Sequence, residues 1–369
     1  MDQQKRILKL SLTFFRVLGL HPNEKMLKIQ VGIFLISSIF LLFLVFLRFR
    51  YEKITFGLIS DTFESTFTLV HVLPKFVTLA LARRSIKKLL ETTGKFWFSK
   101  QFHETNNELK ILTFVLRSFL FFVCLVILIF AIRPIFNDAL AINCHVPRFF
   151  PTSVFTVFNN LVFSFSAFAV ASFDMFVCVM VVLVAVQLKI LSRVILGVNL
   201  AEDCDEMCLK KLKMCVNYHN FLNDFLQEVN SIVSPALLVY FTLAPVALCF
   251  ELFFISKSPN LAETAKSCIY VSGIVIELFF FFCLPATYLM IESEQMVNVM
   301  YNTHWENSCS LPVRRTIIIM MQRMQKENIL SAGKMVKINL ETCTNAFRMA
   351  VSFYTCLQIV DERAGKKCC

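Results

Sequence analysis

The chain has 369 residues, 57% of them hydrophobic, with 41 Phe and a mean hydropathy of +0.65. Soluble domains run at about 45–50% apolar, so this composition excludes one and specifies an integral membrane protein. The formal net charge is +11 at pH 7, and 8 Gly with 10 Pro leave little room for linkers. No internal repeat of fixed period is present, which predicts one compact membrane unit.

A membrane helix needs about 20 apolar residues, because the hydrocarbon core is about 30 Å thick and a helix rises about 1.5 Å per residue. The first span is expected over 29–47, without a charge, and the second over 58–82, carrying Asp61, Glu64 and His71. The third falls at 111–132. The fourth, 154–188, exceeds what a bilayer requires, so its end projects beyond the lipid. The fifth, 232–255, holds Pro235 and Pro245 and is expected to kink. The sixth, 268–290, contains four successive Phe at 279–282, and the seventh spans 336–360. The expected fold is an all-α membrane protein with seven transmembrane helices.

With seven spans the two chain ends lie on opposite sides. The amino-terminal segment and the loops after spans two, four and six hold roughly 23 of the 37 Lys and Arg, against about ten for the other loops and the tail. This bias predicts an inverted topology, with the amino terminus cytoplasmic and the carboxy terminus extracellular, opposite to a G-protein-coupled receptor. Basic residues sorted by loop parity sit against anionic inner-leaflet lipid and give no basis for a nucleic-acid partner.

No phosphate-binding Gly loop, His-Glu-x-x-His or Gly-x-Ser-x-Gly occurs, so no enzyme is expected. Most of the 14 Cys, such as Cys124, Cys178, Cys249 and Cys283, fall in spans, where Cys behaves as a small hydrophobe. Cys204, Cys208 and Cys215 cluster, but their spacing matches no zinc ligand set, and neither metal nor cofactor is expected. Cys144 and Cys268 both fall outside by topology and are candidates for a bridge; the terminal Cys368 and Cys369 are read as unmodified.

Ionisable groups within spans are functional candidates, since a charge in lipid costs several kcal/mol. Asp174, about 30 Å down from the head of span four, is expected at the wet inner surface, and Glu251 near the outer end of span five is expected wet as well. Glu277 lies two to three turns into span six and must face protein or a water-filled cavity. His71 sits at comparable depth near Pro74.

The last stretch carries a pattern of its own: Tyr301 with Trp305, Arg314-Arg315 opening a Met-rich helix through Met324, the small pair Ala332-Gly333, then Asn339-Leu340-Glu341-Thr342 leading to Arg348 and Ser352 through Leu357. Upstream stand Arg16 to Pro22, Gln187-Leu188-Lys189 and His219. Taken together these resemble the insect odorant receptors over nearly the whole chain. The resemblance implies a subunit of a tetrameric, ligand-gated nonselective cation channel in the plasma membrane of olfactory sensory neurons. Its partners would be small volatile odorants, membrane lipid, permeating cations and, in a heterotetramer, the shared co-receptor. The long insertion of that co-receptor between spans four and five is missing, which marks an odour-tuned subunit. A gustatory receptor channel of the same superfamily and a transporter are the rival readings; the tail fits the gustatory signature poorly, and no repeat symmetry supports a transporter.

On this reading, residues 1–292 form a six-helix domain with the ligand pocket, 293–335 a cytoplasmic anchor packed against neighbouring subunits, and 336–369 a pore-lining helix and extracellular tail. The resemblance places the pocket between spans two, three, four and six. Their outer halves offer Phe67, Val70 and His71; Val123, Ile127 and Phe130; Phe158, Phe165 and Phe168; and Tyr270, Gly273, Ile274 and Glu277. Ser352, Thr355, Cys356 and Ile359 share one face of the last helix at spacings of three and four. Four such faces around an axis would form a narrow, weakly polar pore with a hydrophobic gate.

Overall fold

The computed structural model describes residues 2–21, 28–53, 55–97, 103–137, 140–147, 150–198, 205–258, 261–303, 305–307 and 310–367. Two short helices, α1 (Asp2–Ser11) and α2 (Thr13–Val17), precede α3 (Lys28–Tyr51), α4 (Phe56–Leu81) and α5 (Arg83–Thr92). Three long helices follow: α6 (His103–Asn137), α7 (Thr152–Leu196) and α8 (Asp205–Lys257). Next, α9 (Leu261–Ile276) passes through a π-helical turn, Glu277–Cys283, into α10 (Leu284–Tyr301). The chain closes with α11 (Leu311–Met324), a hairpin of β1 (Ser331–Ala332) and β2 (Val336–Lys337), and α12 (Leu340–Lys367).

The axis of the bundle is α7, whose second half, from Ala171 to Leu191, is apolar around most of its circumference and buried on nearly all sides, while Val154, Val157 and Leu161 near its start are exposed. It packs against α4, α6, α8 and α10, with α1 and α2 closing over it. The helices α3 and α6 lie at the edge. Ile33, Ile36 and Phe43 of α3, and Ile111, Phe114 and Phe121 of α6, stand in the open, whereas Phe34, Leu41 and Leu116 turn inward. Contiguous large apolar groups on the outside of so long a helix mark a surface solvated by lipid.

Among the described residues, five helices are long and apolar enough to cross a membrane: α3, α6, α7, α8 and the α9–α10 unit. Counting α4 with α5, which bend by 66°, gives up to six. The seventh helix expected from sequence forms as α12 but is not among them. Its middle carries Asn345, Arg348, Ser352, Thr355 and Gln358, too polar a set for lipid on all sides. It also starts at Leu340 rather than at 336, because Val336 and Lys337 pair with Ala332 and Ser331 in the hairpin.

This hairpin is bolted to α8. Ser331 N–H donates to Asn230 Oδ1 (2.9 Å), Gly333 N–H to the Ser234 carbonyl (3.0 Å) and Lys334 N–H to Ser234 Oγ (3.2 Å). Gly333 and Lys334 make the turn with φ of 59° and 58°. A Cβ on Gly333 would fall 2.6 Å from Leu238 Cδ2, so close approach and left-handed backbone both demand glycine here. Leu340 N–H then donates to Thr287 Oγ1 (2.9 Å), and Asn339 Oδ1 caps α12 by accepting from Thr342 N–H (2.8 Å). Small buried residues of α12, Cys343, Ala346 and Ala350, face α8.

Within α11, Val313, Ile317, Met320 and Met324 are buried in this chain, where the helix packs on α8 and α10. Cys144 and Cys268 are both free thiols, the first buried beside Asn159 and the second exposed.

Replacing Gly333 with Ala is expected to destabilise the protein by about 1–3 kcal/mol, read as a lower midpoint in thermal unfolding of the detergent-solubilised chain. Lys334→Gly, which relieves the other positive φ without adding atoms, should leave that midpoint unchanged or raise it.

Candidate functional site

Between α4, α6, α7 and the α9–α10 unit lies a cavity of about 150 Å³. One face of α4 contributes Phe67, Thr68, His71 and Val72; α6 contributes Phe119, Phe122, Val123, Val126 and Phe130. From α7 come Phe163, Ser166, Ala167 and Val170, and from the last unit Ile269, Tyr270, Gly273, Ile274 and Glu277. The Phe130 ring stacks on Phe163 (4.9 Å between centroids) and meets Tyr270 edge-on (5.7 Å). Phe67 stacks on His71 at 5.5 Å. A Cβ on Gly273 would meet nothing within 4 Å, so the absent side chain is part of the volume.

The floor is charged. Lys75 is fully buried, and its Nζ donates to Asp174 Oδ1 (2.7 Å) and to Glu277 Oε1. His71 Nε2 lies 3.3 Å from the same Glu277 oxygen. The ammonium sits over the Tyr240 ring at 4.7 Å and near Phe282 at 5.3 Å, contacts that favour a cation away from water. Tyr240 in turn donates to the Ile274 carbonyl (3.2 Å). Only His71 and Glu277 of this network reach the cavity.

Glu277 opens the π turn, and the cause of that turn is local. Pro285 has no N–H to offer the carbonyl four residues back, so the α ladder is interrupted there, and Leu284 N–H bonds instead to Phe279 O, five residues back. The wider turn is accommodated with Phe281, Phe282 and Cys283 in the core and Glu277 at the cavity floor.

The geometry sorts the sequence candidates. Phe67, His71, Val123, Phe130, Tyr270, Gly273, Ile274 and Glu277 line the cavity. Val70 and Ile127 do not, each lying one residue, hence about 100° of helix rotation, from the lining positions His71 and Val126. On α7, Phe158, Phe165 and Phe168 do not line this cavity: Phe165 packs on Phe34 (4.6 Å), Phe168 stacks on Phe14 (4.9 Å) and Phe158 sits beside Phe155 (6.2 Å). Hydrophobic periodicity selects no face on a helix that is apolar around most of its circumference. Asp174 is not wet but fully buried, and Glu251 is only 2% exposed, near Ser267 and Lys266. Counting rise along one helix locates depth and says nothing of partners on the next.

Lys75 was missed, although a lysine beside Pro74 in mid-span is itself a signal, since it must find carboxylates on neighbouring helices. A second buried lysine, Lys266, is held by Asp61 and Glu64, each at 2.8 Å, where α9 meets the start of α4. Ser352, Thr355, Cys356 and Ile359 all stand exposed on α12. Among the described residues no cluster of His, Cys, Asp or Glu is arranged to hold a metal; Cys204, Cys368 and Cys369 lie outside them.

A family model described as the seven-transmembrane odorant receptor matches residues 55–351. The chain belongs to the insect odorant receptor family. It is 26% identical over 150 residues to odorant receptor Or2 of Anopheles gambiae and 23% identical over 147 residues to odorant receptor 22b of Drosophila melanogaster. These alignments span 39% and 36% of the relatives' length and 41% and 40% of this chain. The fold superimposes on the solved olfactory receptor OR5 from Machilis hrabei, in complex with eugenol, with a TM-score of 0.82 at 16% identity, covering 97% of this chain and 99% of that one.

Lys75→Met is expected to lower stability by about 3–5 kcal/mol, because it strands two carboxylates in an apolar interior. The triple variant Lys75→Met, Asp174→Asn, Glu277→Gln should recover most of that loss in thermal unfolding. A single variant as stable as the parent would contradict the buried network.

Proposed function

We propose that this odorant receptor is an odour-tuned subunit that binds small volatile organic molecules in the cavity between α4, α6, α7 and α9–α10. With the co-receptor it forms a tetrameric, ligand-gated nonselective cation channel in the plasma membrane of olfactory sensory neurons. The observation that carries this reading is the cavity itself: its volume is close to that at which an apolar protein cavity accepts a benzene-sized molecule, and its lining is chiefly aromatic and aliphatic. Affinity would come largely from apolar burial at about 25 cal/mol per Å².

The arrangement of α12 supports the channel part. Its small residues are spent on α8, while Ser352, Thr355, Cys356 and Ile359 are left uncovered on a helix too polar to be ringed by lipid. Such a face suits the axis of a four-fold assembly, where a weakly polar constriction gates by wetting. In that assembly residues 1–292 hold the ligand, 293–335 anchor the cytoplasmic side and 336–369 line the ion path, with the amino terminus inside and the carboxy terminus outside. Residues such as Leu311 and Ile319, exposed on α11, remain available to the neighbouring subunit. Opening requires that the ligand bind the open arrangement more tightly than the closed one.

Co-expression with the co-receptor, a panel of volatiles and current recording test the proposal. An odour-evoked cation current is expected, and its absence despite surface delivery would refute the reading. Gly273→Phe, which projects a ring into the cavity, should raise the half-maximal odorant concentration at least tenfold. Cys356→Trp should alter conductance or ion selectivity with odorant binding intact; unchanged permeation would remove α12 from the ion path.

A further inference from the structure

What the cavity selects depends on the few polar atoms that reach it. Glu277 is 94% withdrawn from solvent, at 6% exposure, and its Oε1 takes both protein donors, His71 Nε2 and Lys75 Nζ. Its Oε2 receives no hydrogen bond from the described residues, and Glu277 is one of the residues that line the cavity. A His nitrogen turned to a carboxylate carries the proton, which leaves Nδ1 of a neutral His71 as an acceptor. Thr68 Oγ1 donates to the Glu64 carbonyl (2.9 Å) and so offers only lone pairs. Ser166, whose hydroxyl has no partner, and Tyr270 are neutral lining groups with a proton to give. The one charged group among the lining residues is an acceptor, the Glu277 carboxylate at the floor.

Resting on the reading of this cavity as the odorant site, we propose that it selects small molecules bearing a hydrogen-bond-donating head, a hydroxyl or an amine, with Glu277 Oε2 as the acceptor. A ligand with only an ether or carbonyl oxygen would set lone pairs against the carboxylate, and a hydrocarbon would leave that oxygen unpaired; both cost free energy at a carboxylate so little exposed. A donor removes that penalty while its single ring or short chain fills the aromatic part. Hydrogen bonds to a charged acceptor are the stronger kind, so the preference is expected to reach about tenfold or more, since tenfold corresponds to about 1.4 kcal/mol.

The test uses five ligands of similar size, benzyl alcohol, benzylamine, toluene, anisole and benzaldehyde. Each is titrated against the full chain in detergent, with the ligand-induced rise in unfolding temperature giving an apparent Kd. Benzyl alcohol and benzylamine are expected to bind at least tenfold more tightly than the other three, although toluene is the most hydrophobic of the set. In Glu277→Gln the gap should narrow to within about threefold, with benzylamine losing more than benzyl alcohol because the charge is gone. Equal affinities across the wild-type series would overturn the donor preference and leave the odorant cavity standing. Binding of none would remove the cavity reading and this proposal together. The wild-type ranking decides the matter even where Glu277→Gln fails to fold.

Discussion

A lysine ammonium with no water around it is the constraint on which this structure turns. Lys75 is fully buried among the Phe173, Tyr240 and Phe282 rings, and an unpaired ion there would be far too costly to keep. It is tolerated because Asp174 arrives from α7 and Glu277 from the π turn, one on each side. The pairing fixes the rotation of three elements at once. Rotating α7 by a single residue, about 100°, would carry Asp174 away from the ammonium and expose a different face to the cavity.

The π turn gives this network a second role. Its first residue, Glu277, belongs to the cavity floor, and its last, Cys283, is buried in contact with Cys343 of α12. One widened turn therefore touches both the cavity and the helix that leaves the bundle for the outer surface. On the proposed reading, an occupant that pulled on Glu277 would act on an element whose other end bears on α12. Since packed interfaces switch between discrete arrangements and do not deform continuously, such an occupant would bias the position of that helix.

What the sequence made legible follows from which signals are local. Span positions were readable because length and apolarity decide them: the helices from α3 to α10 cover the first six expected segments to within a residue, whereas the seventh, expected from 336, becomes helical only at Leu340. Lining residues on α9 were readable because Tyr270, Gly273, Ile274 and Glu277 mix sizes and polarities, so only one face can border a cavity. On α7 such contrast is weak, and Phe163, Ser166 and Val170 border the cavity where Phe158, Phe165 and Phe168 do not. The hairpin at Gly333 and the π turn were each marked by a single residue, Gly333 itself and Pro285, whose meaning depends on a partner distant in sequence. Asp174 and Lys75 belong to the same class: each is anomalous alone and ordinary as a pair.

The same pairing recurs at other depths of the bundle. Lys266 of α9 holds Asp61 and Glu64 of α4, and Lys189 of α7 reaches Glu108 of α6 and Glu292 of α10, with Tyr288 donating to Glu108 at 2.8 Å. Each of these lysines ties its own helix to carboxylates on another. In lipid, apolar side chains gain little by choosing one apolar neighbour over another, so the Phe-rich surfaces of this chain set no unique register by themselves. Polar groups that must be satisfied do set one, because a slipped register strands an ion in the hydrocarbon. The abundance of Phe and the scarcity of intramembrane charge thus divide the work: the first fills space and shapes the cavity, and the second determines which faces surround it.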